Sequence, residues 1–185
     1  AIRGGTVVVD AKKDINNIGA QIKGSNVFLT SKEGSINNIT EVQTSGSDSD
    51  RKTSIGAVSG IVSDGALVMD AAKDINNIGA KLKAGETLAL KAGENINILS
   101  IQNAEASSKS IKNGRSSTSS VTNMGSVLEA GGNVVMESGK DTTIKGSDVT
   151  AGGLMYVKTG GDFKLLADQD TTETKTSTSR SGFGV

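Results

Sequence analysis

The chain has 185 residues, among them 24 Gly and no Cys, Pro, Trp or His, and aromatic residues make up only 2%. Lys and Arg number 20, as do Asp and Glu, so the formal net charge is zero. This balance argues against nucleic acid or an anionic membrane as the main partner, because both require a basic surface. Without Cys and His, thiol chemistry, disulfides, zinc sites and imidazole catalysis are excluded.

The N-terminal segment, residues 1–5, reads Ala-Ile-Arg-Gly-Gly and has no signal-peptide pattern. We expect a mature or excised segment, or a cytosolic start. No run approaches the roughly eighteen consecutive apolar residues of a membrane-spanning helix. Ile, Val and Leu supply most of the apolar side chains, which favours an architecture that buries small aliphatic residues in narrow layers.

Internal repeats dominate the chain. Residues 10–20 recur almost unchanged at 70–80, about 60 residues later, and a diverged copy follows at 137–147. The similarity extends downstream, where three further segments align: 31–39, 91–99 and 158–166.

Short strands are predicted within each repeat. In the second copy they are Leu67–Met69, Ile75–Ile78, Leu88–Leu90 and Ile96–Ile98, separated by Gly, Asn or Asp. No segment has the 3.6-residue periodicity of a helix, and the frequent glycines would break one. A coil of about 20 residues built from such strands predicts a β-solenoid.

The predicted fold is therefore all-β: a parallel β-helix formed by a single segment, 1–185, with three repeat units at 6–65, 66–132 and 133–185. Inward aliphatic side chains would stack in columns, and Asn residues at the corners, such as Asn17 and Asn77, would form hydrogen-bonded ladders between coils. About seven coils would span near 35 Å at 4.8 Å per coil.

Each unit ends in a Ser/Thr-rich stretch, at 44–54, 106–120 and 171–181. Since these stretches recur in phase, we expect them to leave the solenoid at one corner. Two interpretations remain open: flexible surface loops, or β-hairpins favoured by alternating Thr. Rapid proteolysis near Arg51, Arg115 and Arg180 would contradict ordered hairpins.

The acidic residues are candidates for an enzyme site, because β-helices include polysaccharide-cleaving enzymes. Asp14, Asp74 and Asp141 occupy equivalent repeat positions, and Asp10 and Asp70 precede two of them. A glycosidase needs one singular carboxylate pair with separated pKa values. Repetition before a strand is more typical of turns stabilised by the Asp side chain. No catalytic residue is predicted.

No metal, cofactor or phosphate site is predicted either. The segment 47–50, Ser-Asp-Ser-Asp, lacks the Gly and terminal Glu of a calcium loop. The Gly pairs at 131–132, 152–153 and 160–161 do not follow the spacing of phosphate-binding loops and lie in phase with the repeat, as turns would.

Residues 140–153 and 157–167 strongly resemble the haemagglutinin repeat of filamentous haemagglutinins and contact-dependent growth inhibition effectors. The resemblance rests on the Lys-Asp-x-x-Ile-x-Gly-Ser strand, the Val-Thr-Ala-Gly-Gly turn, the Asp-Phe-Lys-Leu-Leu-Ala close and the Ser/Thr-rich tail. Residues 84–96 look like the same pattern. Thr142 replaces the usual Ile, and the first two units carry Asn-Asn-Ile-Gly-Ala instead of Ile-Lys-Gly-Ser.

The resemblance implies a right-handed parallel β-helix and a fragment of a large exoprotein of Gram-negative bacteria. Such proteins are exported through an outer-membrane secretion partner and project from the cell surface. In the growth-inhibition subfamily, repeats of this kind are implicated in attachment to the outer membrane of a target cell during toxin delivery.

We therefore expect a non-catalytic, structural and adhesive segment located outside the cell. Its expected partners are cell-surface or outer-membrane components of a target cell and the secretion partner, without nucleic acid, and the fragment could associate end to end. The alternatives are a host-cell adhesin stalk of the filamentous haemagglutinin type and, remotely, a β-helical polysaccharide-degrading enzyme. Strands that rearrange against a bilayer for translocation are a further possibility.

Overall fold

The computed structural model describes residues 1–47 and 50–179. Every regular element in these residues is a β-strand, and they contain no helix. The strands are four to eleven residues long, and buried and exposed positions alternate along them. This alternation follows from the in-and-out pattern of apolar side chains noted in the sequence. The predicted all-β class is confirmed.

The chain winds into a parallel β-helix with three faces. Two long strands, β1 (Ile2–Ala11) and β3 (Gln21–Ser31), contribute to both the first and the second face. Equivalent residues of adjacent coils lie 21 residues apart where the chain passes directly from one coil to the next, except between β1 and β3, where they lie 20 apart. Each strand therefore pairs in parallel with its counterpart one turn later.

The remaining strands of the three faces follow in chain order. The first face adds β7 (Gly60–Ser63), β10 (Lys81–Ala84), β15 (Val127–Ala130) and β18 (Asp148–Ala151). The second face adds β8 (Leu67–Ala71), β11 (Leu88–Ala92), β16 (Val134–Ser138) and β19 (Met155–Thr159). The third face consists of β2 (Ile15–Ile18), β4 (Ile36–Ile39), β9 (Ile75–Ile78), β12 (Ile96–Leu99), β17 (Thr142–Lys145) and β20 (Phe163–Leu166).

The core is a set of aliphatic columns that run along the axis. On the second face, Val27, Leu67, Leu88 and Val134 stack in register, and all four are fully buried. Burying one such side chain contributes about 1.5–3 kcal/mol. Because each coil adds one member to every column, the stabilising contacts accumulate along the axis rather than around one central core.

Two coil-to-coil steps are longer than 21 residues. Equivalent residues are 39 apart between the second and third coils and 46 apart between the fourth and fifth. The extra residues form antiparallel hairpins, one of β5 (Val42–Ser45) and β6 (Lys52–Ile55), the other of β13 (Ile101–Ile111) and β14 (Gly114–Met124). After the sixth coil the chain leaves the same corner as β21 (Thr171–Thr178).

The described residues hold six coils, one fewer than the sequence analysis expected, and they rise about 29 Å at 4.8 Å per coil. The difference arises because the hairpins are longer than the Ser/Thr-rich stretches. The second hairpin occupies 101–124, whereas the polar stretch covers only 106–120. Its first strand takes up apolar residues such as Ile101 that had been counted toward the solenoid.

The hairpins join into one five-stranded antiparallel sheet, in the order β21-β14-β13-β6-β5, which we call the hairpin sheet. A hairpin leaves after every second coil, so successive hairpins start about 10 Å apart, which is two coil spacings. A hairpin also contains two strands, whose spacing is the same 4.8 Å. The distance between successive hairpins therefore equals the width of one hairpin, so the hairpins can form a continuous sheet beside the solenoid.

The hairpin interpretation is thus confirmed for the first two Ser/Thr-rich stretches, while the described residues of the third form the single strand β21, which pairs with β14. Arg115 lies in β14 and Arg51 directly precedes β6, while Arg180 lies outside the described residues.

Candidate interaction surface

The recurring aspartates form part of a polar column at the corner before the third face. Asp14 Oδ1 accepts a hydrogen bond from the Ser35 amide at 2.8 Å, and Asp74 Oδ1 accepts one from the Asn95 amide at 3.0 Å. Asp141 repeats this contact with Asp162 at 2.9 Å. Each carboxylate therefore links its own coil to the next one, whereas the sequence analysis had assigned it to a turn within its own coil.

Ser35 and Asn95 complete this column. The Ser35 hydroxyl accepts from the Asp74 amide at 3.3 Å, and Asn95 Oδ1 accepts from the Asp141 amide at 3.2 Å. The result is an unbroken series of five such hydrogen bonds, which links all six coils. The alignment of 31–39, 91–99 and 158–166 already placed Ser35, Asn95 and Asp162 at one position, but it did not place them in one column with Asp14, Asp74 and Asp141.

The chemistry of the column does not match a glycosidase. Asp141 and Asp162 lie on adjacent coils, and Lys164 Nζ contacts their carboxylates at 2.9 and 3.4 Å. The hydrogen bond from Lys164, together with the Asp162 amide, lowers the pKa of Asp141. A general acid needs the opposite, a raised pKa, in order to carry a proton at neutral pH.

Two asparagine ladders run along the third face. The inner ladder joins Asn17, Asn38 and Asn77 through amide contacts of 2.7 and 2.6 Å, and Asn38 and Asn77 are fully buried. It ends because Asn77 Nδ2 donates to the carbonyl of Ala80 at 2.9 Å, and the next inward residue is Ile98. The ladder expected at Asn17 and Asn77 is therefore present, with Asn38 between them, but its members lie within the strands of the third face and not at corners.

The outer ladder faces solvent on the same strands. It begins at Asn16, and Asn37, Asn76 and Asn97 each donate to the preceding asparagine at 2.8 Å. Both ladders hold the register of the parallel strands, because a slip of one residue would move every amide to the other side of the sheet.

The residue at the corner after the third face differs between coils that lead directly into the next coil and coils that lead into a hairpin. Gly19, Gly79 and Gly146 occupy it in the first, third and fifth coils, all with φ between 53° and 57°. In the second and fourth coils Thr40 and Ser100 stand there, and a hairpin follows. A left-handed residue lets the chain enter the next coil directly, and glycine adopts this conformation without steric cost.

The chain re-enters the solenoid after each hairpin at an equivalent serine. Ser59 Oγ donates to the carbonyls of Asn17 and Ile39 at 3.1 and 2.7 Å. Ser126 Oγ makes the same pair of contacts, with Asn77 and Leu99, at 3.0 and 2.8 Å. Both side chains are buried, so each hairpin is fixed to the solenoid where it rejoins it.

A charged cluster fixes the segment just before β21 to the solenoid. The Ser100 hydroxyl donates to Asp168 Oδ2, and Lys145 Nζ lies 3.4 Å from the same oxygen. The Ser100 hydrogen bond and the nearby ammonium lower the pKa of Asp168. On the first face, hydrogen bonds from Lys81 and Lys83 similarly lower the pKa of Glu129.

Acid is expected to destabilise the fold through these groups. A carboxylate with a lowered pKa in the folded state contributes its full stabilisation above the unfolded value, near 4, and loses it as the pH falls through the folded value. Asp168→Asn should therefore be less stable than the parent chain at pH 7, with the difference shrinking as the pH falls below about 4. Urea unfolding followed by circular dichroism at several pH values measures this; a difference that stayed constant with pH would mean that charge is not the cause.

One face of the hairpin sheet presents an array of hydroxyl groups. Thr172, Thr174 and Thr176 of β21 pair directly with Ser120, Thr118 and Ser116 of β14. Directly paired residues of an antiparallel sheet point to the same side, and the hydroxyls of Thr118 and Thr174 lie 3.5 Å apart. The alternate Thr residues of the tail carry this signal in the sequence, although by themselves they predict only a strand.

The hairpin sheet is also linked across hairpins. Lys52 of β6 pairs with Glu105 of β13, and their charged ends are 3.0 Å apart. Thr53 Oγ1 donates to the carbonyl of Ala104 at 2.9 Å, and the Ala106 amide donates to the carbonyl of Arg51 at 2.7 Å. These contacts make the hairpins one surface rather than separate arms.

No group of three or more acidic side chains is placed to hold a metal ion among the residues that the structure describes. Two members of the Ser-Asp-Ser-Asp segment at 47–50, Asp48 and Ser49, lie outside that part of the chain. Residues 1–47 and 50–179 contain no helix with the length and apolarity of a membrane span.

Known proteins resemble this chain over most of its length. The family profile described as "Hemagglutinin repeat" matches residues 40–114 and 109–185. The first matched range begins at Thr40, just before the first hairpin, and contains that hairpin and the two coils that follow it. It ends at the turn of the second hairpin. One repeat therefore corresponds to a hairpin and two coils. No solved structure gives a significant match.

Several curated relatives carry the name CdiA. A tRNA nuclease CdiA of Escherichia coli O6:K15:H31 (strain 536 / UPEC) is 34% identical over 96% of this chain and 6% of its own length. A tRNA nuclease CdiA of Escherichia coli (strain STEC_O31) is 27% identical over 91% of this chain and 5% of its own. The chain thus spans about a twentieth of these relatives. It belongs to the haemagglutinin-repeat family and is a CdiA-like repeat segment.

Proposed function

We propose that this chain is a non-catalytic structural and adhesive segment of a secreted, two-partner exported surface filament of a Gram-negative bacterium. We further propose that it belongs to a toxin-delivery protein for contact-dependent growth inhibition and attaches to the outer membrane of the target cell. Its partners are then outer-membrane components of that cell and the secretion partner of the full-length protein.

The observation that supports this proposal most is the division of the chain into two parts. Aliphatic columns and polar ladders occupy the solenoid, which sets length and rigidity. The hairpin sheet contributes little to that core: all eight residues of β21 are exposed, and Thr and Ser hydroxyls cover one side of the sheet. Such a surface can donate and accept hydrogen bonds to the polar head groups and sugars of an outer membrane.

A matched variant can separate the two parts. Removing residues 101–125 and changing Ser100→Gly yields the junction Leu99-Gly-Ser126-Val127, which copies the natural junction Lys145-Gly146-Ser147-Asp148 of a coil that turns directly. The spacing between the fourth and fifth coils then returns to 21 residues, as elsewhere in the solenoid. The variant loses the larger hairpin but keeps all six coils.

The test is cosedimentation of the purified chain with outer-membrane vesicles of a Gram-negative target strain. We expect the parent chain to bind and the hairpin-less variant to bind at least tenfold more weakly, with unchanged strand content by circular dichroism. Equal binding by both chains would reject the hairpin sheet as the attachment surface. Failure of the parent chain to bind would reject target-cell attachment, and binding to animal cells instead would favour the host-adhesin alternative.

A further inference from the structure

The second face presents an apolar column to the outside of the solenoid. By strand register, its members are Val8, Phe28, Val68, Ala89, Val135 and Tyr156. Each alternates along its strand with residues of the aliphatic core, so its side chain points outward. Phe28 is exposed, and Val68, Ala89 and Val135 are half-buried. These four residues lie in the second to fifth coils, so their outward position belongs to the wall of the solenoid and not to its ends.

A charged column runs beside the apolar one. From the first coil to the sixth it reads Asp10, Thr30, Asp70, Lys91, Glu137 and Lys158. Two ion pairs within the chain involve this column, Lys32 with Asp10 at 2.9 Å and Lys91 with Asp70 at 3.7 Å. All four of these side chains are at least 48% exposed, so each has room for a further charged partner.

The second face lies away from the hairpin sheet. The hairpins leave the solenoid at the corner between the third and first faces. In a three-sided solenoid this corner is opposite the second face. Two solenoids that met through their second faces would therefore leave both hairpin sheets accessible.

The charged column is complementary to its own reverse. When two second faces meet with their axes antiparallel, the first coil lies opposite the sixth, the second opposite the fifth and the third opposite the fourth. Asp10 then faces Lys158 of the other copy, and Asp70 faces Lys91. By symmetry each contact occurs twice, so the dimer gains four pairs of opposite charge and no pair of like charge.

Other registers of the same column bring like charges together. A shift of one coil in one direction places Asp10 opposite Glu137 and Asp70 opposite its own copy. A shift in the other direction places Asp70 opposite Glu137 and Lys91 opposite its own copy. Two copies that ran in the same direction, with this column against itself, would place every charge opposite its own kind. The charges therefore favour one antiparallel register and disfavour its neighbours.

The apolar column fits this register as well. Phe28 and Tyr156 face the smaller Val135 and Val8 of the other copy, and Val68 faces the smaller alanine at position 89. A face five residues wide and six coils tall measures about 17 by 29 Å, so the dimer would bury about 1,000 Å² in total. This area is at the lower end for specific interfaces, and we expect an association that depends on concentration.

We propose that two copies of this chain bind each other through their second faces, with antiparallel axes and a twofold axis between the third and fourth coils. Each copy contributes the same surface, so the association is isologous and stops at a dimer. It does not depend on the attachment to a target membrane proposed above, because that attachment uses the hairpin sheet.

Sedimentation velocity up to millimolar concentration tests the association through charge. Asp70→Lys places a lysine opposite Lys91, and Lys91→Asp places an aspartate opposite Asp70, each twice in the dimer. Each variant alone should dimerise about tenfold more weakly or less, whereas an equimolar mixture should recover the dimer because opposite charges meet again. Asp148→Lys makes the same change on the first face and should dimerise like the parent chain.

Three results of this experiment would overturn the proposal: a parent chain that stays monomeric, a loss of equal size in Asp148→Lys, or no recovery in the mixture. Circular dichroism of each variant verifies that the strand content is unchanged.

Cysteine cross-linking tests the direction and the register. The chain has no Cys, so Thr30→Cys and Glu137→Cys each carry one thiol, and neither change removes a proposed ion pair. A bismaleimide that spans the roughly 10 Å between packed sheets should join the two variants when they are mixed. Neither variant should be joined to itself, because its two thiols would be offset by three coils, about 14 Å, in addition to the distance between the sheets. Equal cross-linking of Thr30→Cys alone would mean parallel packing and would contradict the proposed dimer.

Discussion

Replacing Asn38 by Ala is expected to lower the free energy of unfolding by about 3–5 kcal/mol. Asn38 is fully buried, accepts from Asn17 at 2.7 Å, and donates to Asn77 at 2.6 Å and to the Lys81 carbonyl at 3.2 Å. Truncation leaves a donor of Asn17 and an acceptor of Asn77 without their ladder partner inside the solenoid, and it also leaves a cavity. Urea unfolding monitored by circular dichroism measures the loss.

Asn37→Ala is the matched control. Asn37 is the neighbouring residue and has the same ladder contacts, with Asn16 and Asn76 at 2.8 Å, but it lies on the outer side. Water can replace its hydrogen bonds, so we expect a loss of about 1 kcal/mol or less. Equal effects at the two positions would show that burial does not decide the value of a ladder.

The coil period was present in the sequence in a form that is easy to overlook. The tetrapeptide Ile-Asn-Asn-Ile begins at residues 15, 36 and 75, and the first two copies are separated by one plain coil. The third copy is displaced by a hairpin, so the repeat of about 60 residues stands out more strongly than the coil of 21. Periodicity therefore predicted the solenoid, while the number of coils required knowledge of where each hairpin begins.

Pairing between hairpins could not be predicted in the same way. Thr53 and Ala104 are 51 residues apart, and their contact exists only because one hairpin leaves after every second coil. The sequence shows alternating Ser and Thr in each segment, which is sufficient to predict strands. It does not show which strand edges meet, because that depends on the common exit corner and on the equal spacing of coils and strands.

The residue at the corner after the third face affects both the solenoid and the hairpin sheet. Gly19, Gly79 and Gly146 mark coils that continue, while Thr40 and Ser100 mark coils that send a hairpin outward. The same corner thus sets both the pitch of the solenoid and the spacing of the hairpin sheet. A change at one such residue should affect the attached surface as well as the core.

Gly79→Ala is therefore expected to destabilise the fold by about 2–4 kcal/mol and to loosen the larger hairpin. Gly79 has φ +55°, which costs an L-residue about 1–2 kcal/mol. A Cβ there would also lie 2.2 Å from Ile101 Cγ2, at the start of β13, and would push that strand away. Urea unfolding measures the first effect, and faster trypsin cleavage after Lys112 and Arg115 measures the second.

Gly5→Ala provides the comparison, since Gly5 lies in β1 with open space where its Cβ would be. It should change the free energy of unfolding by less than about 0.5 kcal/mol and leave trypsin cleavage unchanged. If Gly79→Ala lowered stability without faster cleavage in the hairpin, the solenoid corner would not control the hairpin sheet. Faster cleavage confined to Lys112 and Arg115 would show that this corner couples the core of the filament to the surface proposed to meet the target cell.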